Sequence, residues 1–345
     1  MLNLKDIPSL DGKNKKELVD LLLREEYGDL PSAPLSLTAE ILERSEKFCA
    51  GHAVKESIVL TAVGEWGSFS FPITYVCPKG AHKRHPAFIH INFRSNVPDE
   101  YQPTEEIVDR GYAVLSFCYK DVTSDDGDFE NGLAGVIYKN GDRGENGCGK
   151  IGLWAWAAMR VLDYAMTREE LDHSRISVIG HSRLGKTALL TGALDERVFC
   201  AFSNDSGCSG AAIARNNTGE TVAKICAQFP YWFNERYLQY ADRESEMPFD
   251  QHFLIAANYP HRVYIASAEG DAWACPPNEL AACRAASEFF EKHGLTGFCD
   301  RESLEAKDKN VSHEGYIGYH CREGRHYLSR RDWNLYIDYL QKIEK

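Results

Sequence analysis

Positions 175–194 read RISVIG-HS-RLGKTALLTGAL: a β-branched run gives way after two residues to a helix-forming run. A strand that hands over to a helix in so short a turn must pack that helix back on its own sheet. That is the repeating unit of an α/β fold. The same alternation recurs along the chain. Strand-like runs lie at 57–63, 70–77, 87–93, 112–119, 198–204 and 263–269, and helical runs at 151–166, 277–294 and 330–343. The runs at 87–93 and 112–119 lack clean alternation, as strands covered on both faces do. The expected fold class is therefore α/β, a mostly parallel central sheet between helix layers, with antiparallel strands at the edge where 57–77 reads as a hairpin.

Organisation follows from what does not fit this alternation. Residues 1–35 read as an amphipathic helix and a Pro-containing connector, and 36–345 as a single α/β domain. Two stretches interrupt that domain. One is the Gly/Asp/Asn-rich 120–150; the other is the aromatic-rich 207–260. Loops that long in a compact domain usually serve a site. A net charge of −12 argues against a nucleic-acid partner, which needs clustered Lys and Arg. No run of 18 apolar residues is present, so no membrane-spanning helix is expected. No secretory signal is visible, which makes a cytoplasmic address the expectation; a secreted chain shorn of its leader would read the same. The 11 cysteines form no C-x-x-C pair, so neither a metal site nor a disulfide framework is expected. The sequence says nothing of oligomeric state.

The turn at the centre of the chain carries the chemistry, and it has two readings. Positions 180–187 spell G-H-S-R-L-G-K-T, which satisfies the phosphate-cradling pattern G-x-x-x-x-G-K-[ST]. Asp205, after the next strand, could then serve Mg²⁺. The same residues place Ser182 between strand and helix, where an α/β-hydrolase carries its nucleophile. That reading demands an acid and then a histidine later in the chain. Asp271 follows a strand run, and His320 and His326 precede the last helix. The second glycine of G-x-S-x-G is displaced by one, to Gly185, with Leu184 in its place. A phosphate cradle usually follows the first strand of its domain, and this motif comes late, so the hydrolase reading is preferred.

GHSRLGKTALLTGALDERV resembles the nucleophile turn of the glucuronoyl esterases, carbohydrate esterase family 15, whose signature is G-[CH]-S-R-x-G-K. SNDSGCSGAA with Arg215, TGETVAKICAQFPYWF, ASAEGDAWACPPNE and GYHCREGRHYLSRRDW are similar to further segments of bacterial members, in the same order. The resemblance implies an α/β-hydrolase three-layer sandwich. It implies a substrate that is an ester of 4-O-methyl-glucuronic acid, the bond that joins xylan side chains to lignin alcohols. It requires no cofactor and no metal.

On this reading Ser182 is the nucleophile, although a serine opening a helix is also a common N-cap. Arg183 is implied to hold the oxyanion through its N–H and guanidinium. His326 is the general base, with His320 as the alternative. Asp271 or Asp205 orients the histidine, and Asp205 could equally close an Asx turn. Lys186, Glu220, Gln228 and Trp273 are implied to contact the sugar, and Arg215 the uronate side. Neighbouring Tyr231, Trp232 and Phe233 are expected to pack. The alternatives are an acetyl xylan esterase or other small-ester hydrolase with the same machinery, and the nucleotide binder.

Overall fold

A computed structural model of the chain describes residues 6–80, 84–299 and 305–343. Ten strands form one sheet: β1 (Ser36–Phe48), β2 (Ala53–Gly64), β3 (Gly67–Pro78), β4 (His85–Asn92), β5 (Ala113–Cys118), β6 (Leu171–His181), β7 (Cys200–Asn204), β8 (Arg262–Ala268), β9 (Val311–Ser312) and β10 (Ile317–Arg322). Their order across the sheet is β1-β2-β3-β5-β4-β6-β7-β8-β10-β9. The strands from β5 to β10 run parallel. The β1-β2-β3 meander and short β9 add antiparallel edges.

The helices are α1 (Lys15–Leu22), α2 (Thr104–Asp109), α3 (Tyr119–Val122), α4 (Gly132–Ile137), α5 (Lys150–Ala165), α6 (Arg183–Leu194), α7 (Val222–Gln228), α8 (His252–Ala256), α9 (Pro276–Lys292) and α10 (Arg330–Ile343). They divide between the two faces of the sheet because strand side chains alternate. In β4, Ala87, Ile89 and Ile91 join the larger core, with Trp154 of α5, Leu189 of α6 and Phe290 of α9. Phe88 points the other way, into a smaller core with Ile107 of α2 and Trp333 and Tyr336 of α10. The sheet is thus sandwiched between two helix layers. Among the described residues, no helix is long and apolar enough to cross a membrane.

Besides the two-residue β9, two strands lie where the sequence shows no strand signal. β1 is exposed along nearly its whole length, so it has no apolar stripe to read. β10 is buried throughout yet carries His320 and Arg322, polar residues that share one partner, Asp332 of α10. The 120–150 stretch, read as unpatterned, holds α3 and α4. α1 begins with a capping box between Asn14 and Glu17 and runs on as a single π-helical turn, 23–27.

Candidate active site

The turn from β6 to α6 is forced by its glycines. A Cβ on Gly180 would lie 2.0 Å from the Leu184 carbonyl oxygen, so only glycine fits two residues before the serine. Ser182 adopts φ 58° and ψ −126°, a sparsely populated conformation that lifts its side chain off the strand end. Its N–H donates to the Asn204 carbonyl at 2.8 Å. The displaced glycine also has a physical reason. Leu184 is buried in the core, and Gly185 makes the close approach to β7, where a Cβ would come 3.0 Å from Ser203 Oγ.

The Ser182 hydroxyl caps no helix N–H. It lies 2.9 Å from His326 Nε2, and His326 Nδ1 lies 2.6 Å from Asp271 Oδ2. A carboxylate only accepts, so Nδ1 carries the proton and the Nε2 lone pair faces the serine hydroxyl. Burial works against charge on Asp271. The hydrogen bond and charge of His326 outweigh it and hold the carboxyl below its ordinary range. The loop bearing His326 is braced by the buried Arg322 guanidinium, which donates to the carbonyls of Glu323, Arg325 and Tyr327 on either side of the histidine. Arg322 also donates to both oxygens of Asp332.

The other candidates for these roles are placed elsewhere. His320 lies within β10, fully buried, between Asp332 at 2.7 Å and the Tyr264 hydroxyl at 3.1 Å. It is a core residue. Asp205 makes no hydrogen bond to a histidine; its Oδ2 accepts from Arg322 at 3.2 Å. Burial, reinforced by Glu279, pushes its carboxyl well above the usual range, although Arg322 opposes this. One oxygen or nitrogen each of Asp205, Asp271 and His326 lies within 4.8 Å of the others. Among the described residues, this is the one His/Cys/Asp/Glu cluster spaced to hold an ion. Both His326 nitrogens are already engaged, which suits proton relay rather than ligation.

A cavity of about 400 Å³ opens beside Ser182. It is walled by Arg183, Lys186, Glu220, Gln228, Trp232 and Trp273. Lys186 is buried, not a solvated charge: its ammonium donates to the carbonyls of Ser206 and Cys208 and lies 3.9 Å from Glu220. The Glu220 carboxylate beside Lys186 would repel a phosphate, which counts against the nucleotide reading. Glu220 is buried too, whereas Trp273 is 47% exposed at the cavity rim. Arg215 is a correction. It does not line the cavity but is buried in an ion pair with Asp250 at 3.0 Å, and it also donates to the Phe249 and Met247 carbonyls. The Met247 and Phe249 carbonyls lie between the 3-10 turn 244–246 and α8, outside any helix ladder, and the guanidinium fork serves both.

Two participants, Asp125 and His181, were not singled out from the sequence, and a third, Trp232, was read only as packing. Trp232 packs, as expected, face to face on Phe229 at 3.9 Å, but it also forms cavity wall. Asp125 accepts from Arg183 and from Trp232 Nε1. His181 packs 4.5 Å from the His326 ring. Burial, then the neighbouring His326, drives its pKa down to about 3, so it stays neutral beside a histidine that must take up a proton. Only His181 had a sequence signal, its place beside Ser182.

Residues 58–294 match the family model described as glucuronyl esterase, fungi. The chain is 31% identical to a carbohydrate esterase, MZ0003, of an unknown prokaryotic organism, over 95% of its own length and 83% of that protein's. It is 27% identical to a 4-O-methyl-glucuronoyl methylesterase of Podospora anserina, spanning 73% of its own length and only half of that relative's. Among solved structures, a glucuronoyl esterase from Solibacter usitatus superposes with a TM-score of 0.88 at 28% identity, covering 96% of this chain and 92% of that one.

Proposed function

The chain belongs to the glucuronoyl esterase family of carboxylic ester hydrolases, and we propose that it cleaves esters of 4-O-methyl-glucuronic acid through an acyl-enzyme on Ser182. The observation that carries this is the unbroken relay Ser182–His326–Asp271 at the mouth of a cavity lined by buried charge. His326 takes the Ser182 proton as the oxygen attacks the uronoyl carbonyl. Arg183 is the first residue of α6, so its N–H has no acceptor within the helix and suits the developing oxyanion. Its guanidinium lines the same cavity. The imidazolium gives its proton to the departing alcohol. Water, deprotonated in turn by His326, then attacks the acyl carbonyl and frees the uronate, returning the proton to Ser182.

Lys186, Glu220 and Gln228 are suited to the sugar hydroxyls, and the Trp273 ring to a sugar face. A small acyl group such as acetate would leave this polar wall without partners, which favours the uronate over the acetyl xylan esterase alternative. Asp271 is the proposed orienting acid, with Asp205 behind it. The test is a comparison of kcat/KM on methyl glucuronate, an acetylated xylo-oligosaccharide and p-nitrophenyl acetate. The uronate ester is expected to lead. Preference for either acetyl ester would reject the substrate assignment while sparing the nucleophile.

A further inference from the structure

We propose that Asp125 is a positioning residue for the ester-hydrolysing site, fixing the Arg183 guanidinium in the pose from which it meets the oxyanion. This rests on the serine-esterase reading above. Asp125 lies on the 120–150 stretch, remote in sequence from α6, yet its side chain is nearly buried and both carboxylate oxygens accept hydrogen bonds. Oδ2 accepts from Arg183 Nη1 and, at 2.9 Å, from the Tyr119 hydroxyl. Oδ1 accepts from Trp232 Nε1 at 2.8 Å, and the backbone carbonyl accepts from the Tyr231 hydroxyl at 3.0 Å. One residue therefore ties both cleft-forming insertions to the guanidinium.

The aromatic wall completes the hold. The Arg183 guanidinium carbon lies 4.7 Å from the Trp232 ring centre and 5.2 Å from that of Phe229. Its Nε is buried and has no hydrogen-bond acceptor within the protein. An arginine clamped at Nη1 and stacked on a ring has few rotamers left, which holds its guanidinium where it lines the cavity beside Ser182. Charge stabilisation by groups already in place needs no reorganisation at the moment of reaction. The loop carrying Asp125 is itself anchored: the buried Lys150 ammonium donates to Thr123 Oγ1 at 2.8 Å and to the Asp128 carbonyl, and Asn131 bonds to Ser124.

The experiment is a double-mutant cycle in kcat and KM on benzyl glucuronate, using wild type, Asp125→Ala, Arg183→Ala and the double variant, with Asp125→Asn alongside. Displacing a reacting group by an ångström costs on the order of 10²-fold in rate. Asp125→Ala is expected to lower kcat by about that factor with KM within ~3-fold, and Asp125→Asn, which keeps an acceptor, by less. The double variant should be no slower than Arg183→Ala alone, because a mispositioned group that is absent has nothing more to lose. Independent, multiplicative losses, or a wild-type kcat in Asp125→Ala, would overturn the role. If the alanine variant does not fold, the cycle is run with Asp125→Asn and read the same way. A wild type inactive on benzyl glucuronate counts against the substrate reading instead, and the cycle is then run on p-nitrophenyl acetate, whose hydrolysis uses the same oxyanion donors.

Discussion

Asp271 Oδ2 lies 2.6 Å from His326 Nδ1, while Asp205, a neighbouring carboxylate, is turned to Arg322. Asp271→Asn should therefore lower kcat by ~10³–10⁴-fold, since an amide no longer stabilises the imidazolium and can impose the wrong tautomer. Asp205→Asn should cost ~10-fold or less. Parallel steady-state assays check the ranking; a reversed order would move the orienting role to Asp205.

Asp271 and Asp205 also mark how far the sequence could be read. Strand ends and chain order put both near the histidine, but which one reaches Nδ1 depends on side-chain direction, and Arg322 decided it from β10, a strand with no apolar signature. His320, the alternative base, sits in the more apolar run of the two, and β10 places it inside the sheet. Arg215 sat in a segment similar to the family's, yet similarity of segment carries no information on which way a side chain points. The Asp125–Arg183 contact joins positions 58 residues apart across a loop without periodicity, so no local pattern announces it. What local pattern does encode, the β6–α6 turn and the parallel strands around it, is where the sequence was most legible.

The turn itself can be tested. Gly180→Ala would drive a Cβ to 2.0 Å from the Leu184 carbonyl, a backbone atom that cannot step aside. A loss of about 3 kcal/mol is expected, seen as a lower denaturant midpoint together with loss of activity. A fully stable, active variant would mean that the turn is looser than described.

Glu220→Gln removes the charge opposite Lys186 in the cavity. KM for a glucuronate ester should rise ~10-fold with kcat little changed, the pattern of lost binding common to ground and transition states. Hydrolysis of p-nitrophenyl acetate should be nearly unaffected. Equal losses on both esters would assign Glu220 to the framework of the site.

Beneath the triad, Glu279 is fully buried and accepts from the Gly207 N–H at 2.9 Å and the Ser267 hydroxyl at 2.6 Å. Burial raises its pKa from 4.5 to about 7 against those hydrogen bonds. Below 4.5 both folded and unfolded chains hold the proton, and the group costs nothing. Between 4.5 and 7 the unfolded chain has released its proton while the folded chain keeps it, so stability falls as pH rises. Above 7 the loss is complete, on the order of 3 kcal/mol. Glu279→Gln keeps an acceptor for Gly207 and removes the titration. Its melting temperature relative to wild type should climb across that window and then level off; a pH-independent offset would contradict this.

The central claim is that the Ser182 hydroxyl attacks a uronoyl ester. Release of benzyl alcohol from benzyl glucuronate by wild type and by Ser182→Ala, assayed side by side with folding checked by circular dichroism, tests it most directly. The account predicts turnover by wild type and a loss of ~10⁴-fold or more in the alanine variant with an unchanged spectrum. Turnover retained by Ser182→Ala would contradict it.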